Sequence, residues 1–479
     1  MNDTHRTYDV VVIGAGPVGE NVADRTRAAG LSSVIVEREL LGGECSYWAC
    51  EPSKALLRPV LARADALRVP GLRHAVDRPL DVEAVLAHRD DIVRRWQDDN
   101  HVAWLESVSV DLVRGHGRLD GPRQVVVTTP DGETVRLSAR HAVAVCTGTG
   151  PAMPDLPQLD YIRPWTNREA TSADRVPGRL AVVGGGVVAV EMATAWRALG
   201  AQVTMLVRGS GLIPRMEPFA GEMVADALRD AGVDLRFGAT VTSVTREGGA
   251  DGEAHITMAD GGQLTADEIL FATGRAPTTG DIGLETIGLA PGDWLTVDDT
   301  FRVSAVTDGW LYAVGDVNHR ALLTHQGKYQ ARIAGAVIAA RAHGEPVDDS
   351  KWGAHVATAD SEAVPQVIFT DPEVAAVGLT TREAERTGRR VTVVDYDIAR
   401  VDGAVQYAKG YRGKARMLVD TDRGTVAGVT FVGPGVAELL HSATIAVTTE
   451  APVERLWHAV PAFPTISEVW LRLLETYRG

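Results

Sequence analysis

The sequence predicts an α/β fold: two β-α-β units of one kind, followed by a C-terminal region of mixed α+β type. Three observations predict it. An apolar strand runs into Gly14-Ala15-Gly16-Pro17-Val18-Gly19 near the N-terminus. A second apolar strand, about 170 residues later, runs into Gly184-Gly185-Gly186-Val187-Val188-Ala189. From about Val364 onward the pattern changes to interleaved strands and helices.

Residues 8–13 form the first strand, with Val10-Val11-Val12 at its centre. A continuous apolar run of this length suits a strand buried on both faces. The glycine-rich turn follows, then a helix through residue 29, then a strand over residues 33–36 that ends in Glu37. Gly14, Gly16 and Gly19 let the backbone approach a pyrophosphate at the helix N-terminus. Glu37, 18 residues past Gly19, is placed to accept hydrogen bonds from ribose hydroxyls. Strand, helix and acid in this register make a dinucleotide the expected ligand of a Rossmann-like domain.

Gly42-Gly43-Glu44-Cys45-Ser46-Tyr47-Trp48-Ala49-Cys50-Glu51-Pro52-Ser53-Lys54 comes next and holds two of the three cysteines. In a regular helix, residues five apart have Cα atoms roughly 8 Å apart, at about 1.5 Å of rise per residue. A disulfide needs about 4.4–6.8 Å. A Cys45–Cys50 bond therefore requires a distorted first turn, and a strained, exposed disulfide is the reducible kind. A helix start also favours a thiolate. The spacing leaves two readings open: a redox pair, or two buried reduced thiols.

Residues 60–120 read as charged helical patterns and polar loops, with residues 90–104 as a solvated helix without chemistry. Asp120-Gly121 and Asp131-Gly132 are hairpin turns. Residues 141–146 are an apolar strand running into Thr147-Gly148, with Cys146 as a small core residue. In the second unit, residues 180–183 are the strand, residues 190–199 the helix, and residues 202–207 the next strand. That strand ends in Arg208, not an acid, and Arg215 lies just beyond. Two such turns imply two dinucleotides, or a dinucleotide and a flavin nucleotide.

Composition excludes several classes. The chain has 479 residues, with 48 Lys plus Arg against 63 Asp plus Glu and a net charge of −15, which argues against a nucleic-acid surface. No apolar run approaches the ~20 residues of a membrane span. The polar N-terminus leads straight into a strand, so no signal peptide is expected. Three cysteines in a chain this long point to the cytoplasm and to redox catalysis rather than a structural staple. No metal site is expected.

The cysteine stretch resembles the motif Gly-Gly-x-Cys-x-x-x-x-Cys-x-Pro-Ser-Lys of the pyridine nucleotide–disulfide oxidoreductases, the glutathione reductase and dihydrolipoamide dehydrogenase family. The resemblance runs nearly end to end. Phe271-Ala272-Thr273-Gly274-Arg275-Ala276-Pro277 is similar to the family's Ala-Thr-Gly-Arg-x-Pro. Trp310-Leu311-Tyr312-Ala313-Val314-Gly315-Asp316 is similar to its second flavin motif, and residues 365–373 to the opening of its dimerisation domain.

The resemblance implies FAD on the first unit and a nicotinamide nucleotide on the second. It implies domains at residues 1–160 (FAD), 161–281 (NAD(P)H), 282–352 (the rest of the FAD and central region) and 353–479 (dimerisation). Cys45 would be the thiol that attacks substrate, and Cys50 the thiol in charge-transfer contact with the flavin. Lys54 and Glu191 would be an ion pair near flavin N5, where a cation stabilises charge on the reduced ring. Asp316 would contact the ribityl chain. Gly43, Thr147, Gly148, Gly184, Gly186, Ala189, Gly274 and Arg275 would line the two cofactors. Arg208 and Arg215 suit a 2′-phosphate, which implies NADPH rather than NADH. The expected assembly is a homodimer with shared active sites and a small-molecule electron acceptor.

Three departures from the family stand out. Phe463 replaces the histidine that carries the proton in thiol–disulfide exchange, and phenylalanine cannot do this. Glu468, which would orient that histidine, is kept and stands without its usual partner. Tyr47, Trp48 and Ala49 replace smaller or polar residues between the cysteines, and Glu51 places a carboxylate beside Cys50, opposing thiolate formation. His458 reads as a surface or packing residue.

Four functions remain. The first is NADPH oxidation through FAD and the Cys45–Cys50 pair to a disulfide or other small oxidant. The second is a quinone or metal-ion reductase. The third is a carboxylase resembling the 2-ketopropyl coenzyme M oxidoreductase/carboxylase branch, which shares the phenylalanine but not the glutamate. The last is a redox-sensing flavoprotein. Mercuric reductase is disfavoured, because its C-terminal cysteine pair is absent here.

Overall fold

The computed structural model describes residues 4–157, 159–247 and 252–479. It forms two compact units, each assembled from separate stretches of chain. One takes the chain up to Glu51 together with Asp90–Gly150 and Arg275–Ser361. The other takes Pro52–Arg89, Pro151–Gly274 and Glu362–Gly479.

The first unit is built on a sheet whose central strand, Thr4–Ile13, is flanked in parallel by Ser33–Glu37 and Thr134–Val145. Asp111–Arg114 extends it on one side, and Leu311–Ala313 also pairs in parallel with Thr134–Val145. Val10, Val11 and Val12 are fully buried because the sheet is covered on both faces. Gln124–Thr128 makes antiparallel hairpins with His116–Leu119 and with Thr134–Val145. Their turns fall at the expected Asp-Gly pairs.

One expectation fails here. Residues 90–104 are not one solvated helix. Val82–Ile92 ends, a single turn Arg94–Trp96 follows, and Asp99–Ser107 starts again. Arg94, Arg95 and Trp96 have positive φ, which no continuous helix tolerates. The break turns Trp96 and Asp98 toward the cysteine segment. The Trp96 indole donates to the Tyr47 carbonyl (3.2 Å), and Asp98 accepts from the Leu41 N–H (2.8 Å).

The second unit holds three sheets. Four parallel strands run in the order Asp234–Phe237, Gln202–Val207, Arg179–Val183, Glu268–Phe271. The helix after the second glycine-rich turn begins at Val187, three residues earlier than expected, with Gly186 as its cap. Ala189 therefore lies inside the helix and is fully buried. A small antiparallel sheet spans Val241–Arg246, Ala254–Met258 and Gln263–Ala266. The C-terminal sheet is antiparallel and five-stranded, with Thr425–Gly433 at its centre. Among the described residues no helix is long and apolar enough to cross a membrane, and no group of three or more side chains could hold a metal ion.

Candidate redox and nucleotide sites

In the first unit Gly14 and Gly16 form the link between the strand Thr4–Ile13 and the helix Pro17–Ala28, and Gly19 is buried in the first turn of that helix. Gly16 caps that helix without any side-chain cap, so the first-turn N–H groups are left for a ligand. The Glu37 carboxylate is tied to this turn, accepting from the Ala15 N–H (2.7 Å) and the Glu39 N–H (2.8 Å). Gly43 has φ +55, and a Cβ there would stand 2.9 Å from the Gly16 Cα, so the cysteine segment packs directly on the nucleotide turn. The Thr147 hydroxyl is buried with no partner among the described residues. An uncapped helix start, a positioned acid and an orphan hydroxyl fit a dinucleotide.

Asp316 sits on the turn after the strand Leu311–Ala313. Burial pushes its carboxyl above the usual range. Thr149 donates its hydroxyl to Asp316 Oδ2 (2.9 Å). Arg275 donates to the Thr149 hydroxyl (3.0 Å) and carbonyl (2.6 Å), locking that rotamer. Gly148 precedes Thr149 and accepts from the Thr278 N–H.

Cys45 and Cys50 lie on two different helices. Gly43–Tyr47 ends at Trp48, and Cys50 opens the helix Cys50–Arg68. Both cysteines are free thiols in this structure, with Trp48 and Ala49 breaking the helix between them. Tyr47 points inward, its hydroxyl donating to the Gln97 carbonyl (3.2 Å). The Cys45 thiol is pushed well up, first by its hydrogen bond with Cys50, then by burial, with a small added push from Glu51. Cys50 Sγ lies 3.3 Å from the Thr324 hydroxyl. Thr324 opens the 20-residue helix Thr324–His343, whose positive end favours a thiolate there. Cys146 is buried, and burial raises its thiol pKa; it is core.

In the second unit Lys54 Nζ is 2.7 Å from Glu191 Oε2. Glu191 is buried, and its other oxygen accepts from the Phe369 N–H (2.9 Å). Lys54 Nζ also lies 5.2 Å from the Phe369 ring centre. We expect Glu191→Ala to strand both donors and to cost about 1–3 kcal/mol in a denaturant melt. A loss under about 0.5 kcal/mol would mean that the pair contributes nothing to the fold, as exposed pairs often do not.

The second turn repeats the first. Gly184 follows the strand, Gly186 caps the helix without a side chain, and Gly274 follows the strand Glu268–Phe271. Arg208 and Arg215 are both exposed, and neither makes an ion pair among the described residues. At the C-terminal end, Phe463 is 71% exposed. Glu468 Oε1 accepts from Arg472 (2.5 Å), one turn on. Its Oε2 is buried with no partner among the described residues.

Paired thiols beside one nucleotide turn, with a second turn of the same design, define a nucleotide-linked dithiol oxidoreductase. The chain belongs to the pyridine nucleotide-disulphide oxidoreductase family, which matches residues 8–344, with its dimerisation domain matching residues 364–473. This family uses FAD and a pyridine nucleotide. The chain is 33% identical over 469 residues to dihydrolipoyl dehydrogenase 3 of Pseudomonas aeruginosa, covering 96% of each. It is 30% identical to a mercuric reductase of Streptomyces lividans, covering 100% of this chain and 98% of that protein. The fold also matches the HOCl-induced flavoprotein disulfide reductase RclA from Escherichia coli, with TM-score 0.81, 22% identity and coverage of 98% and 99%.

Sequence reasoning missed Thr324, Thr149 and Phe369. Thr324 stands eight residues after Asp316, at a helix start, which was a usable signal. Phe369 acts through its backbone, which no sequence pattern shows.

Proposed function

We propose that the protein oxidises NADPH and passes two electrons, through a Cys45–Cys50 disulfide, to a small oxidant whose reduction needs no protonated thiol leaving group. Bound FAD supplies the relay of a hydride equivalent from nicotinamide to sulfur. The chain's residues do the rest. Two electrons and two protons convert the disulfide to two thiols; Cys50, with Thr324 donating to it, is the sulfur that carries negative charge first. Cys45 keeps its proton and offers the reactive thiol to the acceptor. Lys54 is held by Glu191 as a fixed cation. A second copy of the chain completes the site in this reading, supported by the dimerisation domain and by exposed Val460 and Phe463 within it.

Two observations carry the choice of acceptor: an exposed phenylalanine at 463, and, five residues on, a buried Glu468 oxygen with no partner among the described residues. Disulfide exchange must protonate the leaving thiolate, and the position that would hold the proton carrier is an apolar ring. Quinones and metal ions impose no such demand. The test is anaerobic reduction with NADPH followed by a screen of disulfides, quinones and metal ions. Turnover of simple disulfides far faster than of every quinone and metal ion would overturn the reading.

NADPH is the proposed donor because Arg208 and Arg215 stand uncommitted at the ribose end of the second turn. A bidentate guanidinium contact to a 2′-phosphate is worth about 1.5–3 kcal/mol. Arg208→Ala should therefore cut kcat/KM for NADPH about 10- to 100-fold and leave NADH nearly unchanged. A wild type that prefers NADH sinks this assignment.

A further inference from the structure

The turn that carries Asp316 is held from behind by a buried polar network. The Gly315 N–H donates to Gln330 Oε1 (2.8 Å), and Asn318 Nδ2 donates to the same oxygen (2.8 Å). Gln330 is fully buried on the helix Thr324–His343. Its Nε2 donates to Asp360 Oδ2 (2.9 Å), while Gln326 Nε2, one turn earlier, donates to Asp360 Oδ1 (2.8 Å).

A primary amide has two ends of similar shape and opposite polarity. With its oxygen toward Gly315, Gln330 meets two donors correctly. Turned over, it would set an NH2 group against both. The group at its far end decides the orientation. An ionised carboxylate only accepts, so it takes the NH2 end and forces the oxygen toward Gly315. Gln326 occupies the second carboxylate oxygen and fixes the plane. Burial pushes Asp360 up to about 6, against the pull of Gln326, Arg320 and Gln330, so at pH 8 it is the acceptor the network needs.

Gly315 depends on being held. Its φ is +85, and a Cβ there would come 3.0 Å from Val18 Cγ2, in the first glycine-rich turn. The backbone is pressed against the nucleotide turn, and Asp316 is the next residue. Asp360 itself touches none of the turn's groups.

We propose that Asp360 is a positioning residue for FAD, setting the Gly315–Asp316 turn through the oriented amide of Gln330. The proposal rests on the reading of Asp316 as a flavin contact. The experiment measures FAD dissociation at pH 8 by flavin fluorescence on dilution of the full chain, alongside the thermal midpoint of the apoprotein. Asp360→Asn leaves one acceptor oxygen for two amide donors, so FAD should bind about tenfold more weakly, the effect of one lost hydrogen bond to a charged group. Combining Asp360→Asn with Gln330→Glu restores every pairing. The new carboxylate at 330 accepts from Gly315, Asn318 and the new amide at 360, whose oxygen takes Gln326. FAD affinity should return to within about threefold of wild type, while Gln330→Glu alone faces two carboxylates and should lose more than the Asn variant. A single Asn variant that holds FAD within about twofold of wild type overturns the proposal. So does a double variant no tighter than the single, which would make Asp360 a mere prop of the fold. A wild type that binds no FAD overturns the underlying reading of Asp316 instead, and this proposal with it.

Discussion

Phe463→His should raise turnover of simple disulfides such as oxidised glutathione or lipoamide by about 100- to 10,000-fold, the usual worth of positioned general acid–base help. The physical basis is the state of Glu468. Its Oε2 is buried without a partner among the described residues, while Arg472 holds Oε1. A histidine at 463 that reached this oxygen would find an acceptor already desolvated and fixed. The same change should leave quinone or metal-ion reduction unchanged or slower, because neither expels a thiolate that must be protonated. The pH dependence separates the two proteins further. The Cys45 thiol is pushed up by Cys50 and by burial, so its thiolate fraction at neutral pH is small and grows with pH. Wild-type disulfide reduction should therefore climb steadily toward alkaline pH, about tenfold per unit while the thiol remains protonated. In the histidine variant the imidazole takes that proton, and the profile should flatten near neutrality. Paired steady-state kinetics on a disulfide and a quinone, from pH 6 to 10, read both effects. Efficient wild-type turnover of a disulfide at pH 7 would show that some other group carries the proton.

Cys45→Ser and Cys50→Ser should each abolish NADPH-driven dithiol formation. Wild type, reduced with NADPH and quenched with a thiol reagent, should show two more reactive thiols than the oxidised protein; each serine variant should gain none. Cys146 should stay silent in all three until unfolding, since it is buried and its thiol pKa is raised. Acceptor reduction that runs through the pair should fall at least 1,000-fold in both variants, because the residual route lacks the covalent relay. Should a quinone be reduced equally well by Cys45→Ser, electrons reach it without the pair, and the proposed path is wrong for that acceptor.

The comparison between sequence and structure is sharpest around the cysteines. Both glycine-rich turns, the flanking strands and the acid at 37 were legible, because each is written in a short window by periodicity and by glycine placement. The spacing of Cys45 and Cys50 was also legible, but that they sit on two helices, Gly43–Tyr47 and Cys50–Arg68, came from the fold. The break at residues 93–98 was not. Arg94, Arg95 and Trp96 carry no helix-breaking signal, and the break comes with hydrogen bonds from Trp96 to the Tyr47 carbonyl and from the Leu41 N–H to Asp98, about 50 residues apart along the chain. The phenylalanine at 463 was legible in the sequence, but the state of Glu468 needed the fold, since only burial makes an unused oxygen costly.

By itself the sequence determined the two nucleotide turns, the spacing of the redox cysteines, the arginines beyond the second turn and the phenylalanine at 463. All are local, fixed by residue type over a few positions. Only the tertiary structure decided which groups complete them: Thr324 beside Cys50, the Phe369 N–H on Glu191, and Asp360 behind the Asp316 turn. These partners lie 274, 178 and more than 40 residues away along the chain. A hydrogen bond is specified by distance and direction in space, and nothing in a residue's neighbours along the chain encodes either.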